Sequence, residues 1–424
     1  MSTDIEPATA VRATPTGLAR LLDISAEQFA AEHWGRAPRH VRAADRVGAG
    51  TGGADVGGGD LLDLDAVDDL LSVRGLRTPF LRVARDGVTR PDADFTRGGG
   101  VGAGVADQLD DTALTRLFAE GSTIVLQGLH RTHPPLIALA QDLAGDLGHP
   151  VQVNAYVTPP QSTGFSAHYD VHDVFVLQTA GEKSWRIHPP VLTSPLRTQP
   201  WDARRDAVAD QAAGTPYLDI TMRPGDVLYL PRGWLHAATA KGETSAHVTI
   251  GVHSWHRAHV ADALVTAARQ ALAADEDQRS SLPLGVDVGD RDALSAEVEA
   301  VRAALLAALR EVDAAVVAAD LGGRQDRSQP PAPVRPVATS AALRGWGDAT
   351  VLSLRPHVRA RVTRDTDGSA LITGRAGRLR VSAHDVEAVE ALVERGSTTV
   401  GELGEVLARD LVVRGLLVVS PGAG

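Results

Sequence analysis

The chain has 424 residues, 43% of them hydrophobic, enough to bury the cores of two or three domains. It contains no cysteine, which excludes disulfides, thiolate zinc sites, iron–sulfur clusters and thiol catalysis, so any metal must be held by His, Asp or Glu. The formal charge of −11 disfavours nonspecific nucleic-acid binding and suits a basic partner through long-range steering.

The opening run MSTDIEPATAVRATPTG carries acidic and proline residues where a secretion signal needs a basic start and an apolar stretch. No later apolar run approaches the roughly 18 residues of a membrane span. A cytoplasmic chain without membrane contact is expected, with a disordered tail over 1–15. TPTGLARLLD and SAEQFAAEHWGRAPRHV read as short helices, the second capped by Ser25. Glycine-rich runs from Val47 and from Thr96 read as flexible loops. Among them lie a helix (LDLDAVDDLLS), two strands (TPFLRVARDG, STIVLQGL) and a helix at about 135–147.

From Val151 short runs rich in Val, Ile, Tyr and Trp alternate with Gly and Pro: VQVNAYVTP, DVFVLQTAG, EKSWRIHPP, YLDITMRPGDVLYLPRG and SAHVTIGVHSW. Their spacing predicts an antiparallel sandwich or barrel. Residues from about 257 to 322 turn alanine-rich and helical in two stretches, with apolar faces longer than one small barrel needs to cover, which predicts homodimerisation. A proline-rich linker is expected over 323–344. In the remaining unit, 345–424, SAHDVEAVEALVERG and TTVGELGEVLARD look like capped amphipathic helices, followed by a strand, LVVRGLLVVS. That order is the order of a winged helix. The unit holds ten arginines against ten acidic residues, so it is electrically neutral, and protein contact is expected of it before DNA.

The chemistry concentrates in HYDVHDVFVLQ, His168 to Gln178. On a strand alternate side chains share a face, so His168, Asp170 and His172 would point the same way. About 66 residues further on, RPGDVLYLPRGWLHAA places His236 at a fixed offset in the pattern Gly-x5-Pro-x4-His, which resembles the second motif of the cupin jelly roll. Together His168, Asp170 and His236 supply two imidazoles and one carboxylate, the ligand set of a non-haem Fe(II) oxygenase. Three ligands on one face of an octahedron leave room for a chelating 2-oxo acid and for O2, which a closed four-ligand site would not. Of the 42 basic residues only Lys183 and Lys241 are lysines, which singles out a compact, single-point charge at those positions.

The run from Asn154 to His253, with HYD…DVFVLQTAGEKSWRI and GDVLYLPRGWLHAA, resembles the JmjC-type cupin hydroxylases of the ribosomal oxygenase family. The resemblance implies a mainly β core, a double-stranded β-helix (cupin jelly roll), spanning 16–256 with its α-helical N-terminal lead-in, then a helical dimerisation region and a C-terminal winged helix. It also implies Fe(II) bound by His168, Asp170 and His236, with 2-oxoglutarate as co-substrate and O2 as oxidant. Lys183 matches the cation that pairs with the distal carboxylate of 2-oxoglutarate. Asn154 matches a polar residue near it, and His247 a histidine that the family can place beside this pocket. Where many members carry a serine this chain has Gly251, and Thr249, two residues earlier on the same face, is the expected substitute.

The activity so implied is hydroxylation of an arginyl or histidyl side chain in a protein or peptide substrate such as a ribosomal protein. The same ligands would serve a tailoring oxygenase for a peptide natural product, or a demethylase. A non-catalytic cupin regulator is the reading from another class. His172, in phase with the triad, has two expected roles, a rim residue or a substrate contact.

Overall fold

The computed structural model describes residues 17–46, 58–85, 87–160, 162 and 166–420. The tail expected over 1–15 and most of the glycine-rich run from Val47 lie outside the described residues. The chain divides into two compact units, Met1–Ser254 and Trp255–Gly424.

The first unit opens with α1 (Ala26–Glu32), where the Ser25 hydroxyl accepts from the Gln28 amide at 3.1 Å, followed by β1 (Arg39–Val41). Residues 17–21 form turns and not the expected helix. Leu18, Leu21 and Leu22 are buried, and the Leu18 amide donates to Asp146 Oδ2 at 2.8 Å. A stretch this short, pinned at both ends, cannot offset the cost of a helical nucleus. Next come α2 (Leu64–Ser72) on its Asp63 cap, and four short strands, β2 (Leu81–Arg85), β3 (Val88–Thr89), β4 (Thr96–Arg97) and β5 (Gln108–Leu109). Helix α3 (Asp111–Ala119), capped by Asp110, had no counterpart in the sequence reading. β6 (Thr123–Leu126), α4 (Leu129–Thr132) and α5 (Pro134–Asp146) follow, with Pro134 in the first turn of α5, where its missing N–H costs nothing.

The barrel is built from β7 (Val151–Thr158), β8 (Asp173–His188), β9 (Leu218–Met222), β10 (Val227–Leu230) and β11 (Leu235–Val252), with α6 (Arg205–Ala212) before β9. All pairings are antiparallel, in the order β1-β10-β8-β11-β7-β6-β2-β3, with β9 added to β8. β8, which reads as two short runs, is continuous over 16 residues, and β11, which reads as a strand only from Ser245 onward, runs for 18. Each bends where the other does. Gly181 has φ +58°, and the register slips between Lys241 and Ala246 opposite it. A bulge of this kind reverses which alternate side chains face inward. Val174 and Val176 face the barrel interior before it, and Lys183, Trp185 and Ile187 after it.

Outside the barrel, Val153, Ala155, Phe175, Leu177, Val248 and Ile250 pack with Phe29, Leu136 and Leu143 into the main hydrophobic core. Each fully buried side chain of this size contributes roughly 1.5–3 kcal/mol. That core fixes one face of the sheet and leaves the other free to line a cavity.

In the second unit the helical region holds three long helices where two stretches were expected: α7 (Arg257–Ala274), α9 (Arg291–Glu311) and α10 (Ala314–Ser328), with α8 (Glu276–Arg279) between the first two. The linker expected over 323–344 is largely helical, because α10 runs on to Ser328 and α11 (Pro336–Gly345) starts at a proline in the one helical position that tolerates it. The remainder contains β12 (Val351–Leu354), a three-stranded meander of β13 (Arg361–Arg364), β14 (Ala370–Gly374) and β15 (Gly377–Val381), then α12 (Val386–Arg395), β16 (Ser397–Thr399), α13 (Val400–Leu403), α14 (Glu405–Val413) and β17 (Leu417–Val419). The meander was not anticipated. The expected strand LVVRGLLVVS is helical as far as Val413, since Ala408, Leu411 and Val412 continue one buried face at helical spacing. Among the described residues no helix is long and apolar enough to cross a membrane.

Candidate metal centre and co-substrate cavity

His168 and Asp170 do not lie on a strand. They sit in the segment leading into β8, and only His168 joins the sheet, through a two-way bridge to His236: the His236 amide donates to the His168 carbonyl at 2.8 Å and the reverse bond is 3.3 Å. The Asp170 carbonyl accepts from the Gly233 amide at 3.0 Å. These backbone bonds tie both ligand-bearing segments together. One ligand atom from each of His168, Asp170 and His236 lies within 4.8 Å of the others, and His236 Nε2 is 3.7 Å from Asp170 Oδ2.

The tautomers follow from the backbone. His168 Nδ1 is 2.8 Å from the Ser166 carbonyl and His236 Nδ1 is 3.2 Å from the Trp234 carbonyl, so each Nδ1 carries the proton and each Nε2 keeps its lone pair for a cation. Burial lowers the pKa of His236 to about 4, which leaves it neutral at physiological pH. Burial pushes the Asp170 carboxyl up, but the imidazoles of His236, His172 and His168, with Arg82, outweigh it and hold the carboxyl below its usual range. Two imidazoles and one ionised carboxylate on one side of a cavity, with no thiolate, fit a divalent iron that keeps open positions.

The cavity is about 340 Å3. The triad lies along one wall, and Lys183 is buried in the same cavity. Its Nζ donates to Thr158 Oγ1 at 3.2 Å, and burial holds its pKa down to about 7. No carboxylate pairs with it among the described residues. His247 also lines the cavity, stacked on Tyr156 at 5.1 Å and edge-on to Trp185 at 5.4 Å. Burial first, then the neighbouring Lys183, keeps it neutral, and its Nδ1 has no hydrogen-bond partner. The Trp185 indole N–H is likewise buried without an acceptor. A cation without a counter-charge and an N–H donor without an acceptor in a cavity this size leave room for a small anion with several acceptor oxygens.

Thr249 lines the cavity. Asn154 is its register partner on β7, but its Oδ1 accepts from the Gly128 amide at 3.1 Å and it is not part of the cavity wall. Its side chain braces the chain entering α4. The sequence reading missed Tyr156, which lies two residues after Asn154 on the same face and could have been found from that alternation. It also missed Arg82, which approaches the Tyr156 hydroxyl at 3.5 Å from β2 and has no local motif. His172 leaves the triad and stacks on His253, with ring centroids 5.2 Å apart and planes within 6°.

Residues 138–260 match the JmjC domain model. The bifunctional lysine-specific demethylase and histidyl-hydroxylase NO66 of Drosophila persimilis is 41% identical over 104 residues, 24% of this chain and 14% of that one. Ribosomal oxygenase 1 of Gallus gallus is 35% identical over 152 residues, covering 34% and 24%. The chain therefore spans between a seventh and a quarter of the length of these relatives. Among solved structures, the Escherichia coli ribosomal oxygenase YcfD superposes with a TM-score of 0.53 at 16% identity, over 94% of this chain and 98% of that one. YcfD in complex with cobalt and 2-oxoglutarate matches with the same score and identity, over 95% and 99%. At that identity the likeness shows the fold, a cupin-type antiparallel core with helices.

Proposed function

We propose, from the match of residues 138–260 to the JmjC domain model, that the chain is an Fe(II)- and 2-oxoglutarate-dependent oxygenase that hydroxylates an amino-acid side chain, histidyl or arginyl, in a ribosomal protein. The observation that carries this reading is Lys183, a buried ammonium without a counter-charge in the same cavity as the triad. A metal site alone needs no such cation, whereas a dicarboxylate co-substrate does.

His168, Asp170 and His236 would hold the iron, which with 2-oxoglutarate and O2 supplies oxidative decarboxylation coupled to C–H hydroxylation, yielding succinate and CO2. The residues of the chain position and select. Lys183 and Thr158 hold the far carboxylate. His247 and Trp185 present N–H groups to the remaining oxygens, and Tyr156 stacks on His247 to fix its plane. Val174, Val176 and Leu230 keep the wall apolar, which strengthens these electrostatic contacts. The second unit fits a homodimer through α7, α9 and α10 and protein contact by the winged-helix-like region from 345 onward, in a cytoplasmic enzyme.

Anaerobic addition of Fe(II) and 2-oxoglutarate tests this reading. A weak visible metal-to-ligand charge-transfer band is expected in the wild type, sharply reduced by Lys183→Ala and abolished by Asp170→Ala. Iron binding without a band would remove 2-oxoglutarate as co-substrate. Mass analysis of ribosomal proteins after turnover then reads one added oxygen for hydroxylation, against loss of a methyl group for demethylation.

A further inference from the structure

Gly251 lies on the inner face of β11, two residues beyond Thr249, and its register partner is Val174. Thr249 and Val174 both line the cavity, so a side chain at 251 would line it too. None fits. A Cβ built on Gly251 would stand 2.5 Å from Cδ2 and 2.6 Å from Nε2 of His172. Its φ is not in the left-handed region, so the backbone would accept any residue, and space alone requires glycine. The imidazole of His172 occupies the place of the missing side chain.

This seat is constructed from both sides. His253 follows β11 with its amide donating to the Pro150 carbonyl at 2.8 Å, and its ring lies parallel to that of His172. Gln152 Cγ is 3.2 Å from the same point above Gly251. The ring atoms closest to Gly251 are Cδ2 and Nε2, and Nδ1 is the atom opposite that bond. No hydrogen-bond partner holds the ring among the described residues. An oriented imidazole, fixed by stacking and with hydrogen-bonding capacity unused, stands against Gly251, two residues along β11 from Thr249, and two residues from the ligand Asp170.

We propose that His172, seated on Gly251 and backed by His253, is a substrate-positioning residue at the cavity entrance that hydrogen-bonds and stacks against the peptide segment carrying the target residue. This rests on the oxygenase reading above, because it takes the entrance to the triad as the path of the peptide. It assigns to Gly251 a role other than a lost contact to the co-substrate: the glycine exists to admit His172.

The test uses the full-length protein with Fe(II) and 2-oxoglutarate under anaerobic conditions, and the blocked tripeptide acetyl-Gly-His-Gly-amide as probe. Peptide affinity is read from the perturbation of the charge-transfer band. One hydrogen bond and one ring contact are together worth about a tenfold change in affinity. His172→Ala is expected to weaken the peptide about that much and leave the affinity for 2-oxoglutarate in place. Gly251→Ala, which displaces the ring, is expected to match it. In the His172→Ala background the Gly251→Ala change is expected to cost little further, since the ring it collides with is gone and only Gln152 Cγ, at 3.2 Å, must give way. Additive losses, unchanged peptide binding in His172→Ala, or a wild type indifferent to the peptide would each overturn the proposal. Absence of the band in wild type would instead bring down the oxygenase reading itself, so the two failures are distinguishable.

Discussion

Lys183 enters the cavity from β8 as an amine that burial holds at a pKa of about 7, against 10.5 for the free side chain. Between those two values the unfolded chain binds one more proton than the folded one, so stability rises with pH across that window and the cost of the buried amine is borne at neutral pH. Lys183→Met removes it. At pH 7, without co-substrate, that variant is expected to melt a few degrees above wild type, a gain of roughly 1–2 kcal/mol, while losing the charge-transfer band. Binding of a dicarboxylate requires the charged form. Affinity for 2-oxoglutarate is therefore expected to be full below about pH 7 and to weaken roughly tenfold for each pH unit above it. Titrating the band from about pH 6 to about pH 9 measures this, and a flat profile would exclude Lys183 as the counter-ion.

At the level of elements, the bend shared by β8 and β11 brings Lys183 inside. Val174 and Val176 face inward at even positions and Lys183 at an odd one, and only the slip at Gly181 reconciles them. Gly181→Ala would place a Cβ 2.3 Å from the Thr244 carbonyl in a backbone region that L residues seldom adopt. A loss of about 2–3 kcal/mol is expected in urea unfolding, together with weaker 2-oxoglutarate binding, because register and cation move as one. This bend also marks the limit of what could be read beforehand. The ligand triad was legible because cupin motif spacing and residue chemistry agree at His168, Asp170 and His236. Lys183 stands out by rarity, but the bend at Gly181 has no distinct sign in the sequence, since a bulge inside a continuous strand and a turn between two strands share the same glycine signature. His172 was misplaced for a related reason. Its segment is held by backbone bonds to His236 and Gly233 and not by strand pairing, so alternation did not govern its ring. Arg82 was invisible, because its approach to Tyr156 depends on pairing between β2 and β6, far apart in sequence from β7.

On the scale of the whole molecule, α9 is the anomaly. It runs for 21 residues without one fully buried side chain, although Leu294, Val298, Val301 and Leu305 recur at heptad-like spacing along one face. Val298 and Val301 are 45% and 48% exposed, and Val260 and Val265 on α7 are 42% exposed each. A solvated helix has no need of such a stripe, whereas a second copy of the chain would bury it, and each aliphatic side chain removed from water contributes roughly 1.5–3 kcal/mol. A homodimer is the expected state. Sedimentation at two concentrations should give twice the chain mass for wild type, and monomer for Val298→Glu combined with Val301→Glu. Because neither valine supports the core of its own unit, the double variant is expected to keep its melting temperature at low concentration, so monomerisation and unfolding are separable. If wild type sedimented as a monomer at both concentrations, the stripe would have to be covered by something other than a second copy.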